Sequence, residues 1–343
     1  MQFEITEAER LSGHIESDKL NEIYQSIDEQ GFAVVSGLIP TAVCQELHDS
    51  MLEDVELIRA KDKLTQHEKV TGQGHLQLGP RRHAPYVYSE VIANSLIEHI
   101  VARVLGPNAW LGFYNGNVNC PNSETQPLHF DRPFAWPTEE KAKAAGQSWP
   151  PAGITLSCSI ALSDITTETG ATEIYPGTHK EVAVTKFKKG EQPIHHPELV
   201  EKWSPSARME IPAGGVCFRD PRMWHRGIPN PSTEPRPMPA LTYHSALARH
   251  QRGTLVELSE DQKQLCTSDP SLKQLDDGSL GDGRLYFHES AQAALSTAQN
   301  LHGINRNIRF VSAPNVVNHF LDAHLLGGAR ISDDNHITPY PER

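Results

Sequence analysis

No apolar run in this 343-residue sequence approaches the roughly 20 residues that a membrane-spanning helix requires. Residues 1–10 are acidic, so we expect no secretory signal peptide at this end. The last three residues, Pro-Glu-Arg, are not a peroxisomal signal of the Ser-Lys-Leu type. These absences favour a cytoplasmic protein.

Basic residues are also scarce: 31 Lys and Arg stand against 43 Asp and Glu, which gives a formal net charge of −12. Binding to nucleic-acid phosphates or to an anionic membrane surface requires a basic face. We therefore predict neither a nucleic-acid nor a membrane partner. A CoA thioester would need basic residues for its phosphates, and the only clusters are Arg81-Arg82 and Lys186, Lys188 and Lys189. A free small molecule is the favoured substrate.

Cysteine is rare: the five cysteines are scattered along the chain, and their number is odd. Such usage is typical of reduced thiols in a reducing compartment and predicts no disulfide framework. Cys158 and Cys217 lie in apolar segments and are most simply small core residues.

The composition, 38% hydrophobic and 22% charged residues, is that of an ordinary globular protein. We expect one catalytic domain over residues 1–343, without repeats or low-complexity tracts. Within it we assign 1–108 to a helical and strand support, 109–249 to the core with the active site, and 250–343 to a C-terminal elaboration. That elaboration either covers the site or forms a homodimer contact.

Local patterns predict a mainly β protein with flanking helices. Apolar stripes at helical spacing indicate helices that pack on the outside of a sheet, and alternating or apolar runs between turn residues indicate strands. Helices are predicted over 19–30, 40–60 and 89–105, and strands over 32–35, 110–119, 154–162, 209–211, 215–218 and 239–247.

The chemistry-bearing motif is His129-Phe130-Asp131, followed far downstream by His225. Two neutral imidazoles and one carboxylate hold a divalent iron on one face and leave positions open for other ligands. In a strand, residues i and i+2 share a face, so His129 and Asp131 can both point inward. We expect His225 to come from a different strand, on the opposite wall.

The tripeptide alone is weak evidence for a metal site, since a His-x-Asp is expected about once by chance in a sequence of this composition. Three His-x-Glu matches, which begin at His14, His179 and His196, show how common such patterns are. None of the three has an obvious strand setting. Arg236 strengthens the first motif, because a guanidinium fork can bind the second carboxylate of a 2-oxo acid that chelates the iron.

Together these residues resemble the phytanoyl-CoA dioxygenase family of iron(II) and 2-oxoglutarate-dependent oxygenases. The resemblance covers about residues 31–249. It rests on Gln126-x-x-His129-x-Asp131, Gly170-Ala171-Thr172-Glu173-Ile174-Tyr175-Pro176-Gly177-Thr178-His179, Trp224-His225-Arg226-Gly227 and Arg236.

The resemblance implies a double-stranded β-helix, a jelly roll with the metal in its mouth. It also implies that 2-oxoglutarate and O2 are co-substrates, with release of succinate and CO2 as the substrate is oxidised. Carried over by residue, His129, Asp131 and His225 look like Fe(II) ligands, and Arg236 looks like the partner of the distal 2-oxoglutarate carboxylate. Gln126 and Thr172 are further co-substrate candidates, with a solvent-facing amide and a turn hydroxyl as their structural alternatives.

Substrate contacts are expected from two loops and one strand. Arg81 and Arg82 lie in a long polar stretch, 71–88, and could grip a carboxylate or be a solvated turn. Trp136 lies in the aromatic segment after the motif and could form an apolar wall. Asn117 lies with Asn115 and Asn119 on one polar strand face, which lines either the pocket or bulk solvent.

We therefore expect an oxygenase that hydroxylates, desaturates or cyclises a small molecule, first of all a specialised-metabolism intermediate. Asp131 favours oxygen transfer over halogenation, because related iron halogenases need a small residue at that position. An amino acid or osmolyte such as ectoine, or an acyl-CoA, is the alternative substrate. A non-redox metal enzyme and a ligand-binding barrel without turnover are the alternatives from other classes.

Overall fold

The structure is a computed structural model that describes residues 2–60, 71–80, 88–92, 94–106 and 109–245, together with Leu247 and four short strands beyond it. Its described helices flank the sheets. They are α1 (Glu7–Ser12), α2 (Ser17–Gln30), α3 (Thr41–Ala60), α4 (Ser89–Ile92), α5 (Ser95–Leu105), α6 (Glu139–Ala144) and α7 (Pro197–Lys202).

The strands between residues 2 and 244 form two sheets. They are β1 (Gln2–Glu4), β2 (Phe32–Ser36), β3 (His75–Leu76), β4 (Trp110–Asn119), β5 (Thr155–Ile160), β6 (Glu173–Ile174), β7 (Ala207–Arg208), β8 (Val216–Arg219), β9 (His225–Arg226) and β10 (Arg236–His244). The main sheet has the order β1-β2-β8-β5-β10-β4-β3, and the minor sheet has the order β7-β6-β9. All of their pairs are antiparallel except β1 with β2.

Alternation along the strands separates two apolar layers. Val35, Phe218 and Leu241 point to the outer face of the main sheet and pack in one core with helices α2, α3 and α5. Their neighbours Val34 and Cys217 point to the inner face, where they pack against residues of the minor sheet. The predicted jelly-roll core with helices on its outside is confirmed.

The predicted helix over 89–105 is wrong in its middle, because α4 and α5 are separate helices. Asn94 caps α5, and its side-chain oxygen accepts hydrogen bonds from the backbone of Leu96 at 3.0 Å and Ile97 at 3.1 Å. Its amide nitrogen donates to the carbonyl of Leu38 at 3.0 Å. These bonds favour a new helix start over continuation.

Two strand predictions also shift. The strand expected over 209–211 is instead β7, and Ile211 makes a single bridge with Ile165. The strand expected from residue 239 begins at Arg236, so this arginine belongs to β10 itself.

Several predictions fall outside the described residues. They include Arg81, Arg82 and almost all of 250–343, in which β11 (Val256–Glu257) pairs with β12 (Arg284–Leu285), and β13 (Ala329–Ile331) pairs with β14 (Ile337–Pro339). The division of the chain into support, core and elaboration stays a prediction. Where the chain is described, none of its helices is both long and apolar enough to cross a membrane.

Candidate metal centre and its cavity

His129, Asp131 and His225 meet at the mouth of the space between the two sheets. One ligand atom from each lies within 4.8 Å of the others, and this is the one such cluster among the described residues. The Asp131 carboxylate contacts both imidazoles, with His129 Nε2 3.8 Å from Oδ1 and His225 Nε2 3.4 Å from Oδ2. This arrangement presents two nitrogens and a carboxylate to one point.

The backbone brings these side chains together differently from the sequence prediction. His129 forms a single antiparallel bridge with His225, whose strand β9 is therefore a neighbour and not an opposite wall. Asp131 lies in a bend after that bridge, where its backbone nitrogen donates to the carbonyl of Pro221 at 2.9 Å. The i, i+2 spacing works through a bridge and a bend rather than through a continuous strand.

Each imidazole is oriented by a carbonyl two residues earlier in the chain. His129 Nδ1 lies 2.8 Å from the Pro127 carbonyl, and His225 Nδ1 lies 3.0 Å from the Met223 carbonyl. A carbonyl can only accept, so these contacts favour the tautomer with the proton on Nδ1, in which Nε2 is the nitrogen that can bind a metal. Such outer hydrogen bonds fix the tautomer that a metal ligand needs.

Arg219 is a component of the site that the sequence reasoning missed. Its Nη2 donates to Asp131 Oδ2 at 2.8 Å, and its side chain is only 7% exposed. Its Nη1 also lies 3.2 Å from His225 Nδ1, the nitrogen that is 3.0 Å from the Met223 carbonyl. A charged residue at the end of the apolar run 216–218 was the available signal.

The electrostatics of the triad favour the metal-binding protonation states. Desolvation alone would raise the pKa of Asp131, but His225 and Arg219 outweigh it and hold this pKa well below its usual range. Burial and the neighbouring His225 lower the pKa of His129 to about 4. At neutral pH the carboxylate is therefore charged and the His129 imidazole is neutral, as ligation requires.

Arg236 lies on the inner face of β10, is 4% exposed and borders the same cavity. Its Nη2 donates to the Gly170 carbonyl at 3.0 Å and its Nε to the Thr169 carbonyl at 3.4 Å. Its Nη1 is buried without a partner, and burial lowers the pKa of this guanidinium to about 10. An unsatisfied, buried cation fits the distal carboxylate of a 2-oxo acid.

Gln126 and Thr172 both border the cavity. The Gln126 side-chain oxygen accepts from the backbone of Gly227 at 2.8 Å, and its nitrogen donates to the Thr71 carbonyl. A side chain at position 227 would collide with this amide, since an added Cβ would lie 2.6 Å from its oxygen. Gln126 is thus braced by backbone, whereas the Thr172 hydroxyl has no partner among the described residues.

The cavity encloses about 790 Å³, which is ample for a small molecule. Asn117 lines the cavity, as expected if the polar face of this strand borders the pocket and not bulk solvent. Asn119 instead is buried and donates to the carbonyl of Ile228 at 3.0 Å. Trp136 is half-buried and is absent from the described lining, and only Arg132 and Asp131 from its loop reach the cavity.

The Gly170–His179 and Trp224–Gly227 motifs hold each other in place. The Thr178 hydroxyl donates to the Tyr175 carbonyl at 2.6 Å and accepts from the Trp224 backbone at 2.9 Å. Arg226 pairs with Glu173 across strands β9 and β6. These contacts support the metal-ligand strand and the carbonyls that orient Arg236.

Solved structures similar to the chain include the epimerase SnoN in complex with Fe3+, alpha ketoglutarate and nogalamycin RO, at 18% identity over 67% of this chain and 85% of that one, with a TM-score of 0.47. The carbocyclase SnoK from nogalamycin biosynthesis is 20% identical over 66% and 83%, with a TM-score of 0.45. EctD from S. alaskensis, with 2-oxoglutarate and 5-hydroxyectoine, is 16% identical over 68% and 77%, with a TM-score of 0.46.

The family assignment rests on a sequence match instead. Residues 27–238, more than half of the chain, match the family model described as Phytanoyl-CoA dioxygenase (PhyH). This range contains the triad and Arg236. The chain therefore belongs to the phytanoyl-CoA dioxygenase (PhyH) family.

Proposed function

We propose that this protein is an Fe(II) and 2-oxoglutarate-dependent dioxygenase that oxidises a small molecule and releases succinate and CO2. The observation that carries the proposal is the joint placement of His129, Asp131, His225 and the unsatisfied Arg236 in one cavity. A site that bound a metal alone would not need the last of these.

In this proposal His129, His225 and Asp131 hold the iron, and Arg236 holds the far carboxylate of 2-oxoglutarate. Bound together, the metal and co-substrate supply the oxidising power drawn from O2. The residues of the chain position and shield that chemistry. Arg219 holds one oxygen of Asp131, and the Thr169 and Gly170 carbonyls aim the Arg236 guanidinium.

The proposed substrate is a specialised-metabolism intermediate, with an amino acid, osmolyte or acyl-CoA as the alternative. The family match supports oxidation of a small molecule, and the cavity volume allows one. Hydroxylation, desaturation and ring closure share the same metal chemistry and differ in how the substrate is held.

The proposal is tested by anaerobic titration of apoprotein with Fe(II) and 2-oxoglutarate, monitored through the visible charge-transfer band of the chelate. We expect the band in wild type and its loss in His225→Ala. His196→Ala is the matched control, because His196 belongs to a His-x-Glu pattern outside the triad, contacts Glu191 and Glu198, and should leave the band unchanged.

Two results would contradict the proposal. No band in a folded wild-type protein would exclude the chelate. Full activity of an Arg236→Leu variant would favour a non-redox metal enzyme, since such an enzyme has no 2-oxo acid to hold.

A further inference from the structure

The inner face of the main sheet places several polar side chains in the cavity of the proposed metal centre. Register pairs Ser157 of β5 with Thr242 of β10, and Ser159 lies two residues further along β5 on the same face. On the next strand, Asn117 of β4 is paired with Met238 of β10. All four polar residues line the cavity, and we name Asn117, Ser157, Ser159 and Thr242 the polar wall.

The polar wall has no partners within the described part of the chain. None of its side chains makes a hydrogen bond there, although Ser157 is 9% exposed and Ser159 is 4% exposed. Buried hydroxyls are normally satisfied, and an unsatisfied one costs stability. By contrast, the buried Ser26 donates to the Phe32 carbonyl at 2.9 Å. Hydroxyls that face a cavity without partners are available to a ligand.

The rest of the described lining excludes one large class of ligand. It contains no Phe, Tyr or Trp, so an aromatic ring system would find none of these large apolar rings to stack on there. Its apolar members are Leu76, Pro127, Met209, Pro221, Met238 and Ala240. These are scattered among polar groups and do not form a channel for an acyl chain.

Charge adds a second requirement. The described lining has three arginines and one carboxylate. Arg219 is paired with Asp131, and Arg236 is assigned to the co-substrate under the proposed function. Arg132 is left: it is exposed at the cavity and its side chain has no ion-pair partner among the described residues. A substrate with a carboxylate or another anionic group would supply that partner.

We propose that the substrate is a hydroxyl-rich or amide-rich molecule with one anionic group, bound by the polar wall and by Arg132. This inference rests on the proposed function, because it treats Arg236 as occupied by 2-oxoglutarate. It specifies substrate class: a polar acid, such as a sugar acid, instead of an aromatic polycycle or a long acyl chain.

A first experiment needs no substrate and compares apoprotein melting temperatures. Ser157→Ala and Ser159→Ala should leave Tm unchanged or raise it, because they remove hydroxyls that lack internal partners. Ser26→Ala, the matched control, should lower Tm by about 1–2 °C, since it removes a formed hydrogen bond. A comparable fall in Ser157→Ala and Ser159→Ala would show that these hydroxyls serve the fold, and would overturn the proposal.

A second experiment measures binding to protein loaded with Ni(II) and 2-oxoglutarate, which prevents turnover. The probes are glucuronate, glucose and glucosamine, which share a size and differ in charge, with 1-naphthol as the aromatic comparator. We expect glucuronate to bind most tightly, glucose more weakly, and glucosamine and 1-naphthol least. Arg132→Gln should weaken glucuronate about tenfold and leave glucose unchanged, whereas Ser159→Ala should weaken both.

The outcomes separate this inference from the proposed function. Tighter binding of 1-naphthol than of glucuronate, or no binding of either sugar at about 10 mM, would overturn the inference while the Fe(II) and 2-oxoglutarate band still forms. Absence of that band with the expected order of probes would instead overturn the oxygenase assignment and leave a polar-acid site.

Discussion

Replacement of Glu98 by Gln should stabilise this protein, and the gain should grow with pH. Glu98 lies on α5, between the buried Ile97 and the half-buried His99, where the helix packs on the outer face of the main sheet. Both of its carboxylate oxygens are buried without a partner, and burial raises the pKa of this group to about 9. The folded protein therefore keeps a proton on Glu98 at neutral pH, which the unfolded chain releases.

The magnitude follows from linkage between protonation and folding. Between the ordinary pKa of 4.5 and the raised value of about 9, the folded state binds more protons than the unfolded state, so stability falls as pH rises. At pH 7 the penalty is about 3 kcal/mol. Gln has the same shape and does not titrate. For a chain of this size, with an unfolding entropy of roughly 2.1 cal/mol/K per residue, the melting temperature of Glu98→Gln should exceed that of wild type by about 4 °C at pH 7.

Thermal or urea unfolding at several pH values measures this effect. The two proteins should converge below pH 4.5, where the wild-type carboxyl is mostly protonated in both states, and diverge steadily up to about pH 9. Glu22→Gln is the control, because Glu22 is exposed on α2. Parallel pH profiles for wild type and Glu98→Gln would refute the reasoning, since they would mean that Glu98 ionises normally in the folded protein.

Three further predictions concern the site. Arg236→Lys keeps the charge but loses the fork, so the affinity for 2-oxoglutarate should fall at least tenfold by anaerobic titration while Fe(II) binding stays; an unchanged affinity would place the co-substrate elsewhere. Arg219→Gln should weaken Co(II) binding by about 10–100-fold through loss of the Asp131 contact. The control Arg222→Gln breaks the buried pair with Asp220, so it should lower the stability of the fold without changing the affinity for Co(II). Because burial and His225 lower the pKa of His129 to about 4, its imidazole should stay neutral in apoprotein until the pH falls towards 4; an NMR titration of this ring with a midpoint near pH 6.5 would contradict this.

The residues of the candidate site could be predicted from the sequence, because their types are those that an iron and 2-oxo acid site requires. A histidine, a carboxylate, a second histidine and an arginine, in this order along the chain, are the groups that iron and a 2-oxo acid need. Their relative placement could not be predicted. In the sequence, His129 and Asp131 are two residues apart whether they lie in one strand or in a bridge followed by a bend. Only the structure, in which His129 pairs with His225, distinguishes these two backbone conformations.

Features that depend on tertiary pairing could not be predicted from the sequence. Arg219 follows three apolar residues, and its role is visible only when β8 brings it beside Asp131. The partnerless state of Ser157 and Ser159 likewise depends on which strand faces the cavity. The break at Asn94 differs in kind, because an asparagine ahead of Ser95 and Leu96 is a local helix-start signal that the sequence reasoning could have used.

The proposed iron ligands and the polar wall come from different parts of the fold. This difference explains why the sequence indicates the chemistry more readily than the substrate. The proposed iron ligands come from residues 129–131 and from β9, and they are held by contacts with the minor sheet and the Pro221 turn. The polar wall comes from β4, β5 and β10 of the main sheet, whose outer face is a buried apolar core. Substitution on the inner face of those strands changes what the cavity binds without moving the metal ligands. A chain with apolar residues in place of Ser157 and Ser159 should therefore keep its Fe(II) and 2-oxoglutarate complex and lose its preference for a polar acid.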